Sequence, residues 1–476
     1  MLHMKQKLLI TLFSLTFLAS TYGYTLSYEK PSLLHSSTTS TKKLNTLNIH
    51  SWVEHANDPD CDFPIQNLPY GVFSRRESPL EKHIGVAIGN QIFDLNRAVD
   101  AGILQELTQE AKRALKENSL NSFMELGKES WQQTRETITS LLRTDSYQLR
   151  DSETLKKFLF VNIHEAIMHL PFKVGDYTDF YTSLHHATNV GKRFRPQNPL
   201  LPNFKHLPVG YHGRASSIVI SDTPINRPYG QTKDPTENQP TFQPTKKLDY
   251  EMELGIVVGP GNEIGKRIKM EEASEHLFGM VILNDWSARD VQKWEYQPLG
   301  PFNSKNFATT ISPWVVTIEA LEPYKLPGPN RTENDPDILD YLKPIDDMAL
   351  DITVEVWITS KKMRESAMKP ILLSRTNFNS MYWTIAQMLV HHTSTGANMR
   401  PGDLFGSGTI SGQEDGTKGC LLEIVEPGED GILLSDGTRR IFLEDGDEII
   451  MKAYSHKEGM PRIGFGECRG IVLEAM

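Results

Sequence analysis

The sequence predicts a mostly β protein with some α, in which a small first domain with helices precedes a larger, sheet-built one. Three observations carry this expectation. Residues 101–170 include AGILQELTQEAKRALKEN and SFMELGKESWQQTRETITSLL, whose apolar residues recur at the three- and four-residue spacing of amphipathic helices. From about Pro171 onward, short apolar runs alternate with turns marked by Gly and Pro. One good helix, 379–392, interrupts those runs, so a closed or rolled sheet is expected rather than a βαβ sandwich. With 476 residues, 38% of them hydrophobic, the chain can bury a sizeable core over two or three domains.

Taken in order, residues 1–47 form a leader and linker. Lys5 and Lys7 precede the apolar run 8–18, and small and polar residues follow it, the pattern of a signal peptide. The alternative is a dispensable, disordered leader, with Met4 as a second start. The Ser/Thr/Lys-rich stretch 31–45 reads as linker. The first domain spans 48–170. It opens with the strand and turn material DFPIQNLPYGVFS (62–74) and IGVAIGNQIFDL (84–95), and continues with the helices. The second domain spans 171–476. Its strand candidates are SSIVIS (216–221), LGIVVG (254–259), GMVILN (279–284), SPWVVTIEAL (312–321), LDITVEVWIT (350–359), CLLEIV (420–425) and DEIIMKAY (447–454).

The formal net charge of -10 makes nucleic acid an unsuitable partner, and no other segment is apolar enough to span a membrane. The three cysteines, Cys61, Cys420 and Cys468, match neither a disulfide framework nor a zinc pattern. That usage suits a reducing, cytoplasmic setting, while the signal-like leader leaves export as the alternative.

The sharpest local signal is LDYEMELGIVVGP (248–260). Tyr250, Met252, Leu254 and Ile256 alternate with Glu251 and Glu253, as one strand with two faces requires. Two carboxylates on one face of a strand stand about 7 Å apart, and their repulsion at an effective dielectric near 20 is roughly 2 kcal/mol. A cation between them makes burial tolerable; a solvent-facing pair on an edge strand is the alternative.

A second cluster lies in GMVILNDWSARDVQKWEYQPLGPFNSKNFATT (279–310). Asp285 falls at the tip of an apolar strand, and Arg289, Gln292 and Tyr296 share a face of the following helical turn, with Lys305 beyond. This reads either as a surface salt-bridge network or as a metal ligand beside an oxyanion-binding face. The third cluster, GDYTDFYTSLHHATNVGKRFR (175–195), places Asp179, Tyr181, His186 and Arg195 together in what reads as a loop with a short helix. His391 and His392 end a helix, where cations favour the dipole, and read as structural.

These three segments, with LPVGYHGRASS (207–217), RPGDLFGSGTISG (400–412) and RIGFGECRG (462–470), resemble the fumarylacetoacetase family from about Asn48 to the C-terminus. The resemblance implies an SH3-like N-terminal barrel, a larger β-roll catalytic domain and a homodimer. It implies that Asp179, Glu251, Glu253 and Asp285 bind calcium or magnesium, with Lys305 and Thr309 at the same site or its water shell. An all-oxygen shell suits such hard cations. His186 would be the general base and Glu423 its acidic partner. Arg289, Gln292 and Lys305 would hold an oxyanion. Tyr181, Arg195, Tyr211, Gln292, Tyr296 and Thr409 would hold the substrate. Every one of these residue types is present; the one departure is a slightly shorter loop between Arg195 and Tyr211.

The implied substrate is a small β-diketone dicarboxylate, 4-fumarylacetoacetate, cleaved by water to fumarate and acetoacetate in the last step of tyrosine and phenylalanine catabolism. Attack by water needs a base near neutral pH, the tetrahedral intermediate needs donors, and the carbanion leaving group needs a metal to depart as an enolate. The alternatives are a related acylpyruvate or β-diketone hydrolase or decarboxylase on the same site, and a secreted metal-dependent binding protein. A binding module needs metal ligands but no base, so His186 and Glu423 weigh against the latter.

Overall fold

Strands Tyr70–Arg75 (β1), Ser78–Ile88 (β2) and Gln91–Asp94 (β3) form an antiparallel meander in the computed structural model, which describes residues 48–329, 331–345 and 349–476. Gly89, at φ +58°, makes the tight β2–β3 turn where a side chain would strain the backbone. The chain returns as Phe160–Asn162 (β4) and Ala166–His169 (β5), giving the order β4-β3-β2-β1-β5. The leader and linker, 1–47, lie outside the described residues.

Between β3 and β4 the helices are shorter than their periodicity suggests. Only Gln109–Ala114 of the first stretch is helical, started by the Thr108 side chain accepting from the Ala111 N–H at 3.1 Å. Gly127, at φ +83°, splits the second stretch into Asn121–Glu125 and Lys128–Leu142. The longer helix buries Trp131, Thr134, Ile138 and Leu141, one stripe at three- and four-residue spacing.

The rest is built on two sheets. The larger uses Tyr177–Phe180 (β6), Gly210–His212 (β7), Ile218–Ile220 (β8), Met252–Val258 (β10), Leu277–Asp285 (β11), Thr309–Ile311 (β12), Val316–Thr317 (β13) and Leu404–Gly406 (β16). Its order is β7-β6-β16-β10-β11-β12-β8, with β13 pairing the start of β11. The second sheet uses Ile225–Asn226 (β9), Thr353–Thr359 (β14), Ile371–Asn377 (β15), Glu448–Ser455 (β17) and Ile463–Leu473 (β18), in the order β15-β14-β17-β18-β9. Among the described residues no helix is long and apolar enough to cross a membrane.

The larger sheet is a middle layer. Leu254, Ile256 and Met280 pack into one core with Val354, Val356 and Met451 of the second sheet. Val257, Val281, Leu283 and Leu404, on the other face, pack with Val72, Val86 and Phe123 of the N-terminal part. Trp131 meets Phe278 edge-on with ring centroids 5.0 Å apart, and Tyr70 and Val315 exchange backbone hydrogen bonds. All seven residues of β10 are buried, and it lies between β16 and β11. The edge-strand alternative for Glu251 and Glu253 is therefore wrong: apolar layers cover both faces of an interior strand.

Three other expectations need correction. CLLEIV is a helical turn, Leu421–Ile424, because the Leu421 and Leu422 N–H groups donate to the Asp249 carboxylate at 2.8 and 3.1 Å. SPWVVTIEAL holds only the two-residue β13 before Thr317 caps a short helix, Ile318–Leu321. The segment of Asp179 is a strand followed by the 11-residue helix Leu184–Phe194 rather than a loop with a short helix.

Candidate active site

The acidic cluster grows out of the strand period of two. On the face of the middle sheet that meets the N-terminal core, Val257, Gly255 and Glu253 follow one another along β10, as Val281, Leu283 and Asp285 do along β11. Tyr177 and Asp179 do the same on β6, whose Asp179 pairs in register with Gly406 of β16 and Tyr211 of β7. Glu251 precedes β10, and its carbonyl accepts from the Asp285 N–H at 3.2 Å. Asp179, Glu251, Glu253 and Asp285 are thereby buried together, each offering an oxygen within 4.8 Å of the others.

Gly406 makes room for them. A methyl group in place of its hydrogen would lie 2.7 Å from Glu253 Oε2 and 2.9 Å from Asp179 Oδ1. The Gly408 N–H donates to Glu253 Oε2 at 2.9 Å and fixes that carboxylate.

Two basic side chains offset part of the charge. The Lys305 ammonium donates to Glu251 Oε2 at 2.6 Å and to Asp285 Oδ2. Arg289 donates to Asp249 Oδ2 at 2.9 Å and to Gln292 Oε1 at 3.1 Å, and forms an ion pair with Glu251 Oε1 at 2.6 Å. Burial works to raise the Glu251 carboxyl, but Lys305 and Arg289 outweigh it and hold this group well below the usual range. Asp179 and Glu253 have no such contact. Burial, then neighbouring carboxylates, push both well above the usual range.

The residues fit a hard divalent cation. Asp179 Oδ1 and Glu253 Oε1 are buried acceptors with no hydrogen-bond donor, an arrangement that is costly unless a positive charge satisfies it. The donor set is all oxygen, as calcium and magnesium prefer. The Lys305 amine is held protonated against burial by Asp285 and Glu251. It has no lone pair to coordinate, so it neutralises charge beside the cage. Thr309 Oγ1 contacts Asp285 Oδ1 at 3.3 Å, and Tyr211 OH contacts Asp285 Oδ2 at 3.3 Å.

A dyad stands near this cage. His186 Nδ1 and Glu423 Oε2 are 2.6 Å apart, both buried. The same oxygen accepts from Ser411 Oγ at 2.8 Å and from the Cys420 thiol at 3.2 Å, while Oε1 accepts from Asn189 Nδ2 at 2.9 Å. Burial opposes ionisation of Glu423, but His186 and these donors bring its carboxyl down to about 2. The Tyr181 ring stands edge-on to His186 at 5.3 Å. Burial raises its hydroxyl, Glu251 and Glu423 add to that, and Arg195 and Arg289 act against them; the hydroxyl lies between carboxylates and cations.

Several donors in this region have no partner. They are Arg289 Nη2, Arg195 Nε and Thr409 Oγ1, all buried atoms. The Gln292 side-chain oxygen is taken by Arg289, so the polar group it has left is its NH2 donor. Tyr296 packs edge-on against Phe194, the residue before Arg195, at 5.3 Å. His391 and His392 point elsewhere: their rings share hydrogen bonds with Tyr341 at 3.0 Å and with Thr178 at 2.8 Å.

Sequence reasoning missed Asp249, Asn189, Ser411 and Cys420. Asp249 carried a signal, since it continues the alternation of Glu251 and Glu253 two residues earlier. Asn189 and Ser411 carried none: each is an ordinary polar residue until the fold brings it to Glu423.

The chain is similar to known proteins over most of its length. The fumarylacetoacetase N-terminal family matches residues 66–171, and the fumarylacetoacetate (FAA) hydrolase C-terminal family matches 176–473. The fumarylacetoacetase of Oryza sativa subsp. japonica is 47% identical over 90% of this chain and 98% of its own. That of Rattus norvegicus is 48% identical over 88% of this chain and 97% of its own, and the Homo sapiens enzyme gives the same figures. With nearly half its residues shared across almost the whole length of these proteins, the chain belongs to the fumarylacetoacetase family.

Proposed function

We propose that the protein hydrolyses the carbon–carbon bond of fumarylacetoacetate, releasing fumarate and acetoacetate as the last step of tyrosine and phenylalanine breakdown. The observation that carries the reading is the pairing of a buried four-carboxylate cage with a His186–Glu423 dyad, beside basic donors that have no partner. His186 gives Nδ1 to Glu423, which leaves Nε2 to take a proton from the attacking water. Glu423, ionised well below neutral pH, stabilises the imidazolium that results. Arg289 Nη2, the Gln292 amide and the Lys305 ammonium donate to the oxyanion of the tetrahedral intermediate. Arg195, Tyr181, Tyr211, Tyr296 and Thr409 hold the substrate's carboxylates and carbonyl oxygens. Asp179, Glu251, Glu253 and Asp285 would hold the cation, which supplies Lewis acidity toward the diketone oxygens. A cage of four carboxylates suits calcium, whereas magnesium is usually held through one or two.

Further parts of the reading rest on fold and composition. The strand order β4-β3-β2-β1-β5, with a 3-10 turn at Ile163–Glu165 before the last strand, supports an SH3-like barrel over 48–170. The remainder, 171–476, is then the β-roll catalytic domain. Three free, buried cysteines support a cytoplasmic protein. We expect a homodimer, as the family resemblance implies.

The test is loss of fumarylacetoacetate by the full chain, with product analysis, in calcium or magnesium and after chelation. Equimolar fumarate and acetoacetate, formed only with cation, is the expected result. Faster turnover of acylpyruvates or oxaloacetate would overturn the substrate; turnover unaffected by chelation would overturn the cation.

A further inference from the structure

Beside the acidic cage stands a side chain that the reaction above does not use. Tyr177 begins β6, two residues before Asp179 and on the same face. Its ring belongs to the apolar cluster shared with the N-terminal part, among residues such as Leu283 and Leu404. Gly213 accommodates the ring, since a methyl group there would lie 2.3 Å from it. The ring is therefore anchored, and its hydroxyl lies where that anchoring puts it. Three oxygens, Glu253 Oε2, Asp179 Oδ1 and Tyr177 OH, lie within 3.0 Å of the single point where a Gly406 side chain would begin. Tyr177 is 3% exposed, and its hydroxyl has no hydrogen-bond partner. Asp179 Oδ1, at the same point, and Glu253 Oε1 are also without partners.

A buried hydroxyl without an acceptor gives up its hydration with nothing in return. Here it is placed beside Asp179 Oδ1, an acceptor that itself lacks a donor. A phenol is neutral at physiological pH and adds no charge to the cage. We propose that Tyr177 is a positioning residue for the cation: its hydroxyl donates toward the Asp179 carboxylate and holds it in the coordinating orientation, beside a Glu253 carboxylate fixed by the Gly408 N–H. The inference rests on the cation reading of the four carboxylates. Partners of metal ligands typically set affinity by about 10- to 100-fold, and a single neutral donor belongs at the lower end. The hydroxyl acts on the ligands rather than on the substrate, so the effect belongs to cation affinity first.

The test titrates calcium and magnesium calorimetrically into chelator-treated full-length protein, as wild type, Tyr177→Phe and Tyr382→Phe. Tyr382 is the control. Its hydroxyl is also buried without a partner, but its ring packs on Phe204 and Trp383. The expected result is a cation Kd about 10-fold weaker for Tyr177→Phe and unchanged for Tyr382→Phe. The cation-induced rise in Tm should shrink in Tyr177→Phe, while the Tm without cation holds or rises as a hydroxyl without a partner is removed. Equal affinity in wild type and Tyr177→Phe overturns the role of Tyr177, and so does an equal loss in both variants. Absence of cation binding in wild type overturns the carboxylate reading itself, and the inference falls with it.

Discussion

Replacing Glu423 by Gln separates the charge of the dyad from its geometry. Glu423 Oε2 accepts from His186, Ser411 and Cys420, and Oε1 accepts from Asn189. A Gln can keep its oxygen at the crowded position and turn its NH2 group toward Asn189, whose own amide can rotate to accept it. The fold and the placement of His186 should survive, while the negative charge is lost. Two unit charges about 4 Å apart at an effective dielectric near 20 interact by about 4 kcal/mol. Losing that support for the imidazolium should slow turnover by up to about 10³-fold, within the usual range for general base catalysis. The same charge has a signature in stability. The Glu423 carboxyl sits at about 2 in the folded protein against an ordinary 4.5. Its contribution is therefore fully present above pH 4.5 and is lost as pH falls toward 2, with a span on the order of 3 kcal/mol. The stability gap between wild type and Glu423→Gln should narrow over that window. Turnover at saturating fumarylacetoacetate, far-UV circular dichroism and denaturant melts at several pH values test this. A folded variant with near-normal turnover, or a gap that widens in acid, would refute the reasoning.

His186→Ala should slow turnover by about 100-fold or more with cation affinity unchanged in calorimetry. His391→Ala, which loses the hydrogen bond to Tyr341, should be mild; the reverse ranking would show that His186 is not the base. Gly406→Ala forces a methyl group against the Asp179 and Glu253 carboxylates, so cation Kd should weaken about 10-fold or more while the protein still folds; unchanged affinity would show that the cage can yield. His83 is raised above its ordinary 6.5 by its hydrogen bond to Asp94, against burial. That stabilisation is complete below about pH 6.5 and lost as pH rises through the higher folded value, so His83→Gln should flatten the decline of Tm with pH above 6.5; parallel curves would exclude the contribution.

How much of this was legible in the sequence depended on whether a residue's surroundings were local. The alternation of Glu251 and Glu253 with Met252 and Leu254 fixed a strand with two carboxylates on one face, because the period of two is a backbone property. Asp285 at a strand tip was readable for the same reason. Asp179 was not recognised as a strand residue, because β6 reads Tyr-Thr-Asp-Phe: one face meets the acidic cage and the other sends Thr178 to His392. A strand that serves a polar site loses the apolar rhythm that announces strands. CLLEIV misled in the opposite direction. Its apolar run resembles a strand, yet Asp249, 172 residues before Leu421, caps it into a helical turn that aims Glu423 at His186. No local pattern encodes a cap supplied from that distance.

The carboxylates also explain why the middle sheet carries its site at one end of a face. Along β10 and β11 the rows that begin as Val257 and Val281 end as Glu253 and Asp285, so one face passes from apolar packing to charge without a change of period. The apolar part fixes strand register, because a slip by one residue would turn the whole row over. The acidic part inherits that precision at no further cost in local order. What it does not inherit is charge balance. Lys305 and Arg289 answer Glu251, Asp285 and Asp249, while Asp179 and Glu253 are left facing each other across Gly406. The two carboxylates with buried oxygens that lack donors are thus the two with no basic partner. Positive charge is withheld at that point of the cage, and a divalent ion bound there, as proposed, would supply it.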